Sequence, residues 1–112
     1  MVAGAALLAA LALALAAPAQ AAPDDARASA TRTVRLKDSF FSPSSVALRR
    51  GDSVRFVWAG ERRHNLVGPG IPARYESALR RHKPFTRTFR RAGRVAFLCS
   101  IHPGMELTVR VR

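Results

Sequence analysis

Arg94-Val95-Ala96-Phe97-Leu98-Cys99-Ser100-Ile101-His102-Pro103-Gly104-Met105-Glu106-Leu107-Thr108-Val109-Arg110-Val111 carries apolar side chains at every second residue on both sides of a short polar loop. Val95, Phe97 and Cys99 share one face of the first run. Leu107, Val109 and Val111 share one face of the second, with Thr108 and Arg110 on the other. A period of two is that of a strand buried on one side, since successive side chains leave a pleated backbone on opposite faces. The stretch therefore reads as two strands joined by a loop that turns about Pro103-Gly104.

The same pattern continues upstream. Val34 and Leu36 alternate in Thr33 to Lys37, Val46 and Leu48 in Ser45 to Leu48, and Val54, Phe56 and Trp58 in Ser53 to Trp58, after the turn at Arg50-Gly51-Asp52. Phe85 to Phe89 alternates again before the Ala92-Gly93 turn. Helical periodicity is limited to a turn or two within Tyr75 to His82, and Gly68 to Pro72 is a loop. Short strands separated by turn residues, without a repeat or a second hydrophobic unit, predict an all-β protein: one small antiparallel sandwich or barrel.

The loop between the last two strands holds the chain's chemistry. Cys99 is the only cysteine, His102 follows at the third position and Met105 at the sixth; His64 lies upstream at the end of the run after Trp58. Two imidazoles, a thiolate and a thioether form the ligand set that suits copper in electron transfer: three strong donors and a weak axial sulfur. Rigid loops between strand ends hold such donors in one arrangement through both oxidation states. His82, inside Arg80-Arg81-His82-Lys83, reads as a solvated loop residue whose cationic neighbours disfavour metal binding.

Residues 1–21 read as a signal peptide. The apolar run Ala5 to Ala17 is too short for a comfortable bilayer span, and Ala19-Gln20-Ala21 fits the small-residue cleavage rule, although the leader carries no Lys or Arg. The expected organisation is a flexible tail over 22–30 and a copper-binding domain over 31–112, exported to the periplasm or beyond. One cysteine excludes an internal disulfide, and metal ligation gives an exported thiol its reason. The 19 Lys and Arg against 7 Asp and Glu, a formal +12, all lie beyond the leader. This charge favours anionic protein partners; its scatter along strands and turns, with export, argues against nucleic acid. Membrane association is expected only if the leader is retained, and the domain is expected to be a monomer.

Several of these segments together resemble the cupredoxin family, in its plastocyanin and amicyanin branch. They are Gly51 to Phe56, His64-Asn65-Leu66-Val67, Gly93 before Phe97-Leu98-Cys99, and the Cys-x-x-His-x-x-Met loop from Cys99 to Met105. The gap between His102 and Met105 is similar to that of amicyanin. The resemblance implies a Greek-key β-sandwich with a type 1 copper held by His64, Cys99 and His102, and Met105 as weak axial ligand. It also implies that Asn65 ties its loop to the ligand loop near Ser100. Three departures stand out: a short stretch between His64 and Phe85, arginines in place of the acidic patches of plant plastocyanins, and Ile101 where such loops often carry proline. The function implied is one-electron transfer between redox proteins, without enzymatic activity; a copper-delivery module is the alternative.

Overall fold

The computed structural model describes Gly4 and residues 28–112. The leader expected over 1–21, Gly4 apart, and the tail up to Arg27 lie outside the described residues.

Seven strands follow in order: β1 Thr31–Lys37, β2 Phe40–Ser42, β3 Ser45–Leu48, β4 Ser53–Trp58, β5 Phe85–Thr88, β6 Gly93–Leu98 and β7 Glu106–Val111. They form a four-stranded sheet ordered β2-β1-β4-β5 and a three-stranded sheet ordered β3-β7-β6. The alternation read from the sequence is the burial pattern observed. Val34, Leu36, Val46, Leu48, Val54, Phe56, Trp58, Phe97, Leu107, Val109 and Val111 are all buried between the sheets. Each such side chain contributes about 1.5–3 kcal/mol through the apolar surface it removes from water. Phe56 and Phe97 meet edge to face at 5.3 Å and join the two layers.

The all-β sandwich is as expected, but the sheets are mixed and not purely antiparallel. β1 pairs parallel with β4, Thr31 beside Ser53 through Leu36 beside Trp58, and β3 pairs parallel with β7. The cause is a sheet change between β2 and β3. The chain crosses to the second layer, and β4 returns to the first beside β1 in the same direction. β2 is a further addition, because three residues are too few to show a period; only Phe41 of this strand is buried. The helical turn lies at Ala73–Glu76, earlier than Tyr75 to His82, and is a single 3₁₀ turn following Pro72. Ser77 is extended and ends the turn, and Leu79 bridges to His64 instead.

These pairings sort the connections to two ends. The ends of β1, β4 and β6 and the start of β7 lie at one pole, while the starts of β1 and β4 and the ends of β3, β5 and β7 lie at the other. The long β4–β5 connection is bound to the second sheet by the pair Val67 and Leu98, whose N–H groups each donate to the other's carbonyl at 2.9 Å. Gly68 follows, with its backbone against the Phe97 ring so closely that a Cβ would overlap the ring.

Candidate metal centre

His64, Cys99 and His102 converge at the first pole, and one donor atom from each lies within 4.8 Å of the other two. Cys99 Sγ is 3.5 Å from His102 Nδ1 and 3.9 Å from His64 Nδ1. The imidazole centroids are 4.9 Å apart. His64 and Cys99 are buried, and His102 is half-buried at the rim. A buried free thiol between two imidazole nitrogens is a soft and borderline donor set that fits one thiophilic metal ion, copper foremost. Carboxylate does not enter the trio, which disfavours the hard cations.

Local backbone bonding explains the convergence. Cys99 leaves β6 as the last inward residue of an alternating strand, and its N–H donates to the Met105 carbonyl at 3.1 Å. The Met105 N–H donates to the His102 carbonyl at 3.2 Å, closing the loop into a tight turn around the exposed Pro103 and Gly104, the latter with φ +78°. That positive φ is accessible to glycine at no steric cost. Met105 itself is buried. On the other loop the His64 N–H donates to Leu79 at 3.2 Å, and the His64 carbonyl accepts the Trp58 indole N–H at 3.1 Å.

Asn65 joins the two loops. Its Nδ2 donates to Ser100 Oγ at 2.6 Å and to the Glu76 carbonyl at 3.0 Å, and its Oδ1 accepts the Ser100 N–H at 2.8 Å. With the residue after His64 bonded to the residue after Cys99, the two donors are held relative to each other before any ion binds.

Asp38 is a participant that the sequence did not disclose. It sits in the β1–β2 turn, where its Oδ1 accepts the N–H groups of Glu61 and Arg62 at 2.9 Å each and lies 3.8 Å from His64 Nε2. At that distance the last contact is electrostatic and not a hydrogen bond. The fit is close, since a Cβ on Gly60, at φ +81°, would overlap the carboxylate. The Arg62 N–H, aided by that of Glu61, holds Asp38 below the usual carboxylate range. No local pattern marks Asp38; a loop remote in sequence brings it to the ring.

Burial pushes the His64 pKa below its ordinary 6.5; the neighbouring His102 adds to this and Asp38 opposes it. The fully buried imidazole is therefore neutral, which is the form that ligates a metal. Its folded pKa is below its unfolded value, so the unfolded chain binds more protons in acid. The stability that His64 contributes is present above pH 6.5 and lost as pH falls through that value towards the folded pKa. We expect denaturant midpoints of the metal-free protein to fall between pH 7.5 and pH 5, and to fall less in His64→Gln; an equal fall in both would place the acid sensitivity elsewhere. Because Asp38 raises the His64 pKa, Asp38→Asn should move the His64 NMR titration of the metal-free protein to lower pH.

His82 differs from its expected role as a solvated residue. It is half-buried, its ring meets Trp58 at 4.9 Å and Tyr75 at 5.2 Å, and its Nε2 lies 2.8 Å from the Ser77 carbonyl. The arginines around it are exposed while the imidazole covers an aromatic cluster, outside the trio of His64, Cys99 and His102.

Neither a family model nor a curated protein matches the chain. Solved structures do. Plastocyanin from the fern Dryopteris crassirhizoma aligns at 24% identity over 71% of this chain and 99% of its own, with a TM-score of 0.56. A reduced amicyanin variant aligns at 22% over 73% and 82%, with a TM-score of 0.58. A pseudoazurin from Sinorhizobium meliloti aligns at 23% over 74% of each chain, with a TM-score of 0.56. Agreement over nearly whole domains at such identities is agreement of architecture, and by it this chain is a small sandwich of the cupredoxin fold.

Proposed function

We propose that the protein is an exported blue copper protein that carries single electrons between redox partners and transforms no substrate. The observation that carries this reading is the donor trio: a lone thiol and two imidazoles, from two loops far apart in sequence, with donor atoms within 4.8 Å of one another. His64 and His102, through Nδ1, and Cys99, through Sγ, would hold the ion, with Met105 as the weak axial donor. Bound copper supplies a one-electron couple. The chain's part is to keep the donors fixed through the Asn65–Ser100 bonds, to exclude water from His64 and Cys99, and to leave the His102 edge near solvent for electron exchange.

Two further features support the carrier reading. Ile101, 45% exposed, and Leu98, 39% exposed, flank the ligand loop and offer an apolar contact around His102. The formal +12 would speed encounter with acidic redox proteins. The apolar leader and the unpaired cysteine support export, to a periplasmic or other extracytoplasmic space.

Adding Cu(II) to the metal-free protein tests the reading. One equivalent should give intense visible absorption and a reversible one-electron wave. Tight Cu(I) binding without that absorption would assign copper delivery instead. Met105→Leu should retain the colour and raise the potential, because removing a weak sulfur donor costs Cu(II) more than Cu(I). Voltammetry giving an equal or lower potential would take Met105 out of the axial position.

A further inference from the structure

The pole opposite the metal centre is built of arginine. Arg32 near the start of β1, Arg49 and Arg50 after β3, and Arg112 after β7 surround an open hollow of about 560 Å³. Arg90 and Arg91, in the β5–β6 connection, belong to the same end, because Phe89 exchanges hydrogen bonds with Gly51 and Asp52 there, at 2.7 and 2.8 Å. Five of these six side chains are exposed and Arg49 is half-buried. The acids are distributed in the opposite sense. Of the five in the described residues, Asp38, Glu61, Glu76 and Glu106 lie on connections and strand ends at the metal pole. Only Asp52 lies among the arginines, and its two oxygens already accept the N–H groups of Ala30 and Arg49 at 2.9 and 3.0 Å.

We propose that this arginine pole docks the domain on an anionic phospholipid surface, with the metal centre facing away from the membrane. Three observations favour a lipid surface over a soluble acidic protein. First, β4 is six residues long, so at about 3.3 Å per residue a partner seated on the arginines is some 20 Å from the donor trio and cannot touch it. A redox partner seated at the metal centre therefore does not rest on these arginines, whose part in its encounter is limited to the long-range field. Second, the cations come from the start of β1, the β3–β4 turn, the β5–β6 turn and the end of β7, and together they form the end face of the sandwich, which suits many headgroups at once better than a single ligand. Third, the chain enters the domain here: Ala28 to Ala30 edge the hollow, and the apolar leader precedes them in sequence. A domain exported along that leader first meets a membrane with this pole nearest the lipid. Docking needs no retained leader and is reversible, since screening weakens it. The inference rests on export but not on the bound ion.

Full-length protein is sedimented with vesicles of equal parts phosphatidylglycerol and phosphatidylcholine, and with vesicles of phosphatidylcholine alone. Binding should require the anionic lipid and fall as salt rises. Two charge-matched variants locate it. Arg50→Gln, Arg90→Gln, Arg91→Gln and Arg112→Gln together should weaken binding on the order of a hundredfold, whereas Arg63→Gln, Arg80→Gln, Arg81→Gln and Lys83→Gln, at the metal pole, should weaken it less than tenfold. Unchanged circular dichroism and copper-dependent absorption in both variants separate a docking effect from misfolding and from failure of the copper reading. Equal binding to both vesicle types, equal losses in the two variants, or release by inorganic phosphate at constant ionic strength would each overturn the proposal.

Discussion

Replacing Cys99 by serine is expected to abolish the visible absorption that the proposed copper centre gives and to leave the sandwich folded. The absorption requires a thiolate bonded to the metal, and a hydroxyl is a hard, poorly ionised donor. The structure explains why the fold should survive. Cys99 is buried beside the Nδ1 atoms of His64 and His102, and serine replaces its sulfur by a single smaller atom in the same place, so little packing is lost and the polar imidazole edges face the new hydroxyl. The backbone bond from residue 99 to the Met105 carbonyl is independent of the side chain. Titration with Cu(II) should give no intense band, while the thermal midpoint of the metal-free variant stays within a few degrees of the parent. A Cys99→Ser protein that remains intensely coloured would remove this sulfur from the centre.

That the trio could be read from sequence, and Asp38 could not, has a physical origin. Cys99, His102 and Met105 lie on one loop, where strand alternation and Pro103-Gly104 fix their relation over seven residues. His64 was accessible because its chemical type is rare in this chain and Asn65 accompanies it. Asp38 reaches His64 Nε2 only through the β1–β2 turn and the folded 60–62 segment, so its role exists only in three dimensions. The strands show the same division. Val54, Phe56 and Trp58 reveal which face of β4 is buried, whereas its parallel neighbour β1 depends on a sheet change that leaves no period in the sequence. His82 differs from the solvated loop residue its neighbours suggest for a related reason. Four successive basic or titratable residues suggest solvent, and only packing on the Trp58 and Tyr75 rings, which the folded β4–β5 connection brings together, half-buries the imidazole.

The largest loss of stability is expected at Phe97. Its ring is buried, meets Phe56 at 5.3 Å and Phe89 at 6.1 Å edge to face, and lies under Gly68, whose neighbour Val67 bridges Leu98. The Arg87 guanidinium adds a cation–π contact 5.5 Å from the ring centroid. Phe97→Ala leaves a cavity between the two sheets that rigid strands cannot close, at a cost of about 3–5 kcal/mol. Against the 5–15 kcal/mol that holds a typical domain folded, this is a large fraction. Phe97 is also two residues before Cys99 on the same face of β6, so the cavity loosens the strand that presents the thiol. The metal-free variant should therefore unfold at much lower denaturant than the parent, and copper should recover part of the difference, because an ion that binds only the folded chain draws the equilibrium towards it. Phe40→Ala, at a side chain 53% exposed, is the control and should stay within about 0.5 kcal/mol of the parent. Equal midpoints for Phe97→Ala and Phe40→Ala would mean that the contact between the sheets at Phe97 does not hold the sandwich together.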